Sequence, residues 1–343
     1  MKKAYIYPNS SNVKEHEVYN PYIIDFINSL SPYFEFVNHK NPTNGGVGIL
    51  DVFKYLFRVD VIFLHWIEKV PERKGGLIQT LVLFFILFAS MIFRYKVVWT
   101  MHNKFTHSGE KQKLTRMIFK SLLKRSYLVL THSSQGIKFG ESLVRGSSKK
   151  IVYFPHPVKD RRPSKSPQKD TDILIWGTIA PYKGIKKFLE FYTQNNLDKK
   201  YTLHIVGKAT STKYFNKIIP FQRKSIQIEN DFISNEELSN LIHRSGIVLF
   251  TYSKNSILSS GVLMDSIGFG ARILAPDVGA FSDLQKLDVV TTYKSFIDLP
   301  EVLDKEVSRS KIPDDTALDK FLINNSWNRY AENVIQQLKY SIR

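Results

Sequence analysis

"SSGVLMDSIGFGARILAP", residues 259–276, reads as a helix followed by a strand. Ser259, Ser260 and Gly261 are residue types that open helices. Val262 to Phe269 is the helix, and it carries one acid, Asp265. Gly270 stands where a helix C-terminus takes a residue tolerant of positive φ, and Arg272 to Ala275 is a short buried strand. The start of such a helix offers unpaired N–H groups and a positive dipole end, which favour an anion such as phosphate. The same residues also describe an ordinary α/β unit with an ordinary cap, and both readings stand for this stretch taken alone.

Working outward, strand and helix patterns alternate through the whole chain, which predicts parallel α/β architecture. The first half gives strands at "KAYIYP", "FEFVN", "VDVIFLHW", "KVVWTMHN", "SYLVLTHS" and "KIVYFPHP". Helices fall at "NPYIIDFINSL", at residues 75–93 and at "GEKQKLTRMIFKSLLKRS". The polar stretch "VKDRRPSKSPQKDTD", residues 158–172, carries two prolines and reads as a linker. Beyond it the pattern restarts with "ILIWGTI", a helix from Gly184, "YTLHIVG", "SIQIEND", the helix "NEELSNLIHRSG", "IVLFTY", the opening stretch and "DVVTTY". The expected fold is α/β: two doubly wound Rossmann-like domains facing across a cleft, residues 1–160 and 161–325. A last amphipathic helix within 326–343 is expected to pack across the junction. Ligands of such units lie at the carboxyl ends of the strands.

Composition narrows the partners. The 343 residues are 43% hydrophobic and 13% aromatic, enough for a sizeable core, and they include no cysteine. A disulfide framework and a thiolate metal site are therefore excluded. The N-terminal "MKKAYIYPNSSN" is too poor in apolar residues for a secretory signal, so a cytosolic chain is expected. The net charge is +18. Residues 1–165 hold 26 Lys and Arg against 11 Asp and Glu, a net of +15, whereas the remainder holds 23 against 20. A basic first half points to an anionic surface, nucleic acid or membrane.

The segment "GGLIQTLVLFFILFASMIF", residues 75–93, favours the membrane. It has no charge, and Arg73, Lys74, Arg94 and Lys96 bracket it. Its length is near the minimum of about 18–20 residues for a span, yet the strand "YKVVWTMHN" follows at once. A span would put residues 1–70 across the bilayer from the strands they pair with. The preferred reading is a helix packed into the domain with its outer face in a membrane interface; burial in the core and a span are the alternatives. The basic helix with Lys111, Lys113, Arg116, Lys120, Lys124 and Arg125 suits anionic headgroups beside it. No nucleic-acid-binding module is recognised.

Candidate chemistry gathers at strand ends. "WGTIAPYKGIKKFLE" gives a Gly177–Thr178 turn and Lys183 at a helix start, a combination suited to a diphosphate. Gly207 ends "LHIVG", where backbone is able to approach a ligand closely. His102 and Asn103 end one strand of the first half, and His65 and Trp66 end another. Each histidine reads equally as a satisfied structural residue. His156, just before the linker, reads as a hinge or capping residue. No metal-ligand spacing, Ser/His/Asp arrangement or P-loop is present.

Taken in order, these landmarks resemble the glycosyltransferases of the GT-B fold, most closely the large retaining family 4. "GTIAPYKGI" is similar to that family's glycine–arginine…lysine–glycine turn, "LHIVG" to its next strand, and "SSGVLMDSIGFGARILA" to its acid-containing helix and following strand. "VVWTMHN" resembles the acceptor-domain strand that ends in histidine. The Trp-Thr-x-His-Asn strand and the loosened motifs resemble bacterial, membrane-associated transferases of capsule and exopolysaccharide assembly. The resemblance implies Lys183 on the donor diphosphate and Asp265 on the ribose hydroxyls. It also implies the amides of Ser260, Gly261 and Val262 on the phosphates, Gly177, Thr178 and Gly207 at the donor, and His102 beside the transferred sugar. Asn103 and His65 fall on the acceptor side. The implied substrates are a UDP- or GDP-linked sugar and a lipid-linked glycan on an anionic membrane surface. Neither cofactor nor metal is expected, and the place is the inner face of the cell membrane. Three departures stand out: Thr178 replaces the arginine, Asp265 replaces a glutamate, and Ile257 occupies the position of the first acid of an E-x7-E pair. A GT-B-fold sugar-nucleotide epimerase or hydrolase, and a non-catalytic scaffold, are the alternative readings.

Overall fold

Strands rich in Ile, Val, Leu and Phe, buried along nearly their whole length, need cover on both faces, and the alternating helices supply it. The computed structural model describes residues 1–9, 21–39, 48–93, 95–104, 112–163, 169–252, 258–307 and 315–340. The chain forms two compact units, residues 1–155 with 327–343, and residues 156–326.

The first unit contains β1 (Lys2–Tyr7), α1 (Tyr22–Leu30), β2 (Phe34–Phe36), β3 (Val61–His65), α2 (Gly76–Phe93), β4 (Lys96–Met101), α3 (Gln112–Arg125), β5 (Leu128–Thr131), α4 (Ser134–Leu143) and β6 (Ile151–Tyr153). The second contains β7 (Thr171–Trp176), α5 (Ile185–Gln194), β8 (Leu203–Val206), α6 (Thr212–Phe215), β9 (Ile226–Glu229), α7 (Asn235–Arg244), β10 (Ser245–Leu249), α8 (Gly261–Gly268), β11 (Ile273–Pro276), α9 (Ala280–Gln285), β12 (Thr291–Tyr293), α10 (Leu299–Val307) and α11 (Asp315–Asn324). The chain then returns to the first unit as α12 (Trp327–Tyr340), whose Tyr330, Ala331, Val334 and Leu338 pack among Tyr22, Ile23 and Phe26 of α1.

Both sheets are six-stranded and parallel, in the orders β2-β1-β3-β4-β5-β6 and β12-β11-β10-β7-β8-β9. Each order reverses direction once, between β1 and β3 and between β7 and β10. Such a reversal opens a crevice at the carboxyl ends of the two strands. The amide of Val158 bonds to Asn325 O at 2.9 Å, and Arg161 N donates to Gly268 O at 2.7 Å. The described part of 158–172 therefore differs from a free linker, because backbone bonds fasten it to α8 and to the end of α11.

Helix α2 joins two adjacent parallel strands, β3 and β4, so it runs back along the sheet as a crossover. This rules out a span. Val82, Leu83, Ile86 and Leu87 face the core, whereas Leu77, Ile78, Leu81, Phe85, Phe88 and Ile92 are 44–65% exposed. Phe53 and Phe57 extend this outer face by ring contacts with Phe85 (5.7 Å) and Phe93 (5.0 Å). The exposed Lys113, Arg116, Lys120, Lys124 and Arg125 of α3 belong to the neighbouring helix.

Candidate donor site

Strand β7 ends at Trp176, and Gly177 turns the chain with φ +85°. Its nearest neighbours are the Val262 methyl and Lys183 Nζ, which a Cβ there would meet at 3.0 and 3.2 Å. Beside this turn, Gly207 lies at φ +150° with its Cα against the Gly177 carbonyl, where any side chain would collide. The absent side chain of Gly207 lets this turn pack against the Gly177 backbone. Thr178 is half-buried in the same turn.

Lys183 closes a short turn, Pro181–Lys183, and Gly184 at φ +72° starts α5. Gly184 packs directly on the Thr251 carbonyl, and Thr251 Oγ1 donates to Lys183 O at 2.6 Å. The end of β10 thus fixes where the lysine leaves the backbone. Its side chain is 3% exposed. Nζ donates to Trp176 O at 3.3 Å and lies 5.6 Å from the Tyr252 ring centre. Burial lowers the ammonium pKa to about 7, and no carboxylate among the described residues pairs with it. A neighbouring anion would favour the charged form of a lysine held this way.

Helix α8 supplies the next groups. Ser260 is its N-cap, yet its hydroxyl makes no capping bond; Tyr252 OH lies 3.3 Å from it instead. The first amides of α8, those of Gly261 and Val262, are therefore left without a side-chain cap, and Gly261 borders open space. Trp176 Nε1 donates to Ser266 Oγ at 2.8 Å, which in turn donates to Val262 O, so the end of β7 pins α8 in place. Asp265, one turn into α8, pairs with Arg161 (Nη1 to Oδ1, 3.2 Å). The Arg161 guanidinium also lies 5.5 Å from the Phe269 ring centre. Among the described residues a small pocket is lined by Trp176, Lys183, Thr251, Tyr252 and Val262, between the ends of β7 and β10. This is the reversal point of the second sheet.

Of the residues expected at the donor, Lys183 and Val262 line this pocket, Gly177 lies against both, and Gly207 packs on Gly177. Thr178 follows Gly177 in the turn, and Ser260, Gly261 and Asp265 belong to the start and first turns of α8. Ile257 and most of the loop after β1 lie outside the described residues, as does Lys111. Sequence reading missed Arg161, which sits in the polar stretch taken for a linker. It also missed Trp176 and Tyr252 as walls.

His102, Asn103 and His65 belong to the first unit. His102 is 6% exposed and His65 is fully buried, so His65 does not itself present a group to an acceptor; its Nδ1 contacts His102 Nε2 at 3.1 Å. Trp66, half-buried, stacks flat on His102, with centroids 4.2 Å apart and planes at 15°. His132, also missed, directly follows β5; its Nδ1 donates to Phe154 O (3.0 Å), and its Nε2 lies 2.9 Å from Tyr22 OH. The visible signal is a repeated one: "IFLH", "WTMH" and "VLTH" all end strands in histidine.

No protein-family model matches the sequence, and no curated protein matches it either. Solved structures do. The chain is similar to Anabaena Alr3699/HepE, crystallised in complex with UDP, with a TM-score of 0.70 at 13% identity over 99% of this chain and 100% of that one. It is similar to AviGT4, a glycosyltransferase involved in avilamycin A biosynthesis, with 0.61 at 14% identity over 99% and 97%. The catalytic domain of starch synthase IV from Arabidopsis thaliana, bound to ADP and acarbose, matches at 0.56 with 12% identity over 84% and 74%. With two parallel six-stranded sheets, each flanked by helices and each reversing once, the chain has the GT-B fold of these glycosyltransferases.

Proposed function

We propose that the protein is a glycosyltransferase that moves a sugar from UDP to a lipid-linked glycan at the inner face of the cell membrane, as in capsule or exopolysaccharide assembly. The observation that carries the donor half is Lys183, a buried ammonium beside the uncapped start of α8 at the sheet's reversal point. The diphosphate occupies that spot, and the ribose hydroxyls reach Asp265. As the bond from the anomeric carbon to the diphosphate oxygen breaks, charge grows on the leaving UDP. Lys183 and the amides of Gly261 and Val262 stabilise it without needing to reorganise. The acceptor hydroxyl forms the new bond to the anomeric carbon and passes its proton to the departing diphosphate oxygen. The family-4 resemblance assigns His102 to the transferred sugar. No metal takes part in this scheme, and the family-4 resemblance makes retention the expected stereochemistry.

The acceptor half rests on the outer face of α2 and the +15 charge of residues 1–165. Apolar insertion and anionic attraction together make the two signals that stable peripheral attachment needs. The test is transfer of radiolabelled sugar from UDP-sugars into the lipid fraction of membranes. Label in lipid that depends on Lys183 supports the reading. UDP release that leaves the lipid fraction unlabelled replaces it with the hydrolase alternative.

A further inference from the structure

The register of the first sheet places three imidazoles side by side. His65 of β3 pairs with Thr100 of β4, two residues before His102, so both rings leave the same face of the sheet. Met101 pairs with Thr131, which sets His102 abreast of His132. The rings facing His102 are Tyr22 of α1 (4.9 Å), His65 (5.4 Å), Trp66 (4.2 Å) and His132 of β5 (5.6 Å).

The position of one proton decides what His102 offers. His65 is completely buried, which lowers its pKa to about 3, so the ring is neutral with a single N–H. Its Nδ1 meets His102 Nε2, whereas its Nε2 is buried with no hydrogen-bond partner among the described residues. A proton on Nε2 would leave a buried N–H without an acceptor, at a cost of about 1–3 kcal/mol. Orphaned buried N–H groups are rarer than orphaned acceptors. With the proton on Nδ1, the unpartnered site is a bare lone pair and the N–H is used on His102. His102 Nε2 must then accept, which leaves the proton of the neutral His102 ring on Nδ1. Charging His102 would set a second N–H against that of His65.

Trp66 holds the same ring from its face. Its backbone lies at φ 48°, ψ 25°, the left-handed region that a bulky side chain seldom enters. This turn, directly after β3, keeps the indole parallel to the imidazole. His102 is therefore fixed both in ring orientation and in tautomer.

We propose that His65 is a positioning residue: its Nδ1–H holds His102 as the Nδ1–H tautomer, so that His102 meets a sugar hydroxyl as a hydrogen-bond donor and does not carry the acceptor's proton. The sugar in this statement rests on the function proposed above; the tautomer does not.

Nitrogen-15 spectra of the histidine rings in the full chain test it, with His102→Gln and His65→Asn used for assignment. Wild-type His102 should show a protonated Nδ1 and a bare Nε2. His65→Asn keeps an N–H near the old Nδ1 and should keep both this form and kcat, within about threefold. His65→Leu removes the donor; it should move His102 toward the Nε2–H form and lower kcat about tenfold, with UDP affinity unchanged. A wild-type His102 protonated on Nε2 overturns the proposal. So does a His65→Leu protein that changes tautomer without losing kcat. If His65→Leu does not fold, the wild-type spectrum and His65→Asn decide. The stated tautomer in a protein that transfers no sugar would refute the function and leave the His65–His102 arrangement standing.

Discussion

Binding UDP at pH 8 should draw about 0.9 proton per nucleotide out of the buffer, because Lys183 is then roughly nine-tenths neutral in the free protein and charged in the complex. The lysine pKa of about 7 comes from burial alone, and the side chain is 3% exposed. Relative to water this burial disfavours the ammonium by on the order of 5 kcal/mol. A diphosphate at Nζ restores the charge, and at pH 8 the nucleotide itself has no proton left to give or take. Calorimetry at one pH in buffers of different ionisation enthalpy counts the protons from the slope of the observed heat. The affinity should also fall about tenfold per pH unit above 7. Lys183→Met should abolish both effects and weaken UDP about 10–100-fold at pH 7. Binding at pH 8 with no proton uptake would refute the reasoning, for it would mean that Nζ never meets the phosphates.

The same burial predicts a trade-off in stability. Because the folded pKa is depressed, the penalty is fully present below pH 7 and is relieved as pH rises toward the unfolded value near 10.5. Lys183→Met should therefore melt higher than wild type at pH 6.5, by a margin that shrinks toward pH 10, in a thermal scan. Asp265→Asn should weaken UDP about tenfold but leave a nucleotide without ribose hydroxyls unaffected, in parallel titrations. Gly184→Ala should lower the melting temperature by several degrees, since φ +72° and the Thr251 carbonyl both oppose a Cβ, a cost of about 1–3 kcal/mol. Replacing Leu81 and Phe85 of α2 by Glu should release the protein from anionic vesicles in a sedimentation assay. Both residues face outward, so its melting temperature should stay near wild type.

Most of the strands were legible because buried parallel strands announce themselves as apolar runs, and α8 with Gly270 read correctly from its own residues. Helix α4 did not, since "SQGIKFGESL" mixes two glycines with polar residues and carries a weak apolar stripe. Its Ser133 cap, which accepts from Gln135 N, was the usable signal. Strand order is a different matter. β7 lies beside β10, about seventy residues later, and only that pairing brings Lys183 to Thr251. Likewise the histidines at the ends of β3, β4 and β5 are visible one by one, but their contact depends on a register no local pattern encodes. Arg161 was hidden by its setting, a proline-flanked polar stretch that gains structure only against the end of α8. Strand-end chemistry was therefore readable from single positions, and its assembly into a site was not.

The central claim, a nucleotide-diphosphate site at Lys183 and α8, is tested most directly by titrating the protein with UDP, GDP, ADP and TDP in a calorimeter. UDP should bind selectively, and Lys183→Met should lose or greatly weaken that binding. Binding of none of the four by a folded wild-type protein would contradict it and favour a scaffold built on a transferase fold.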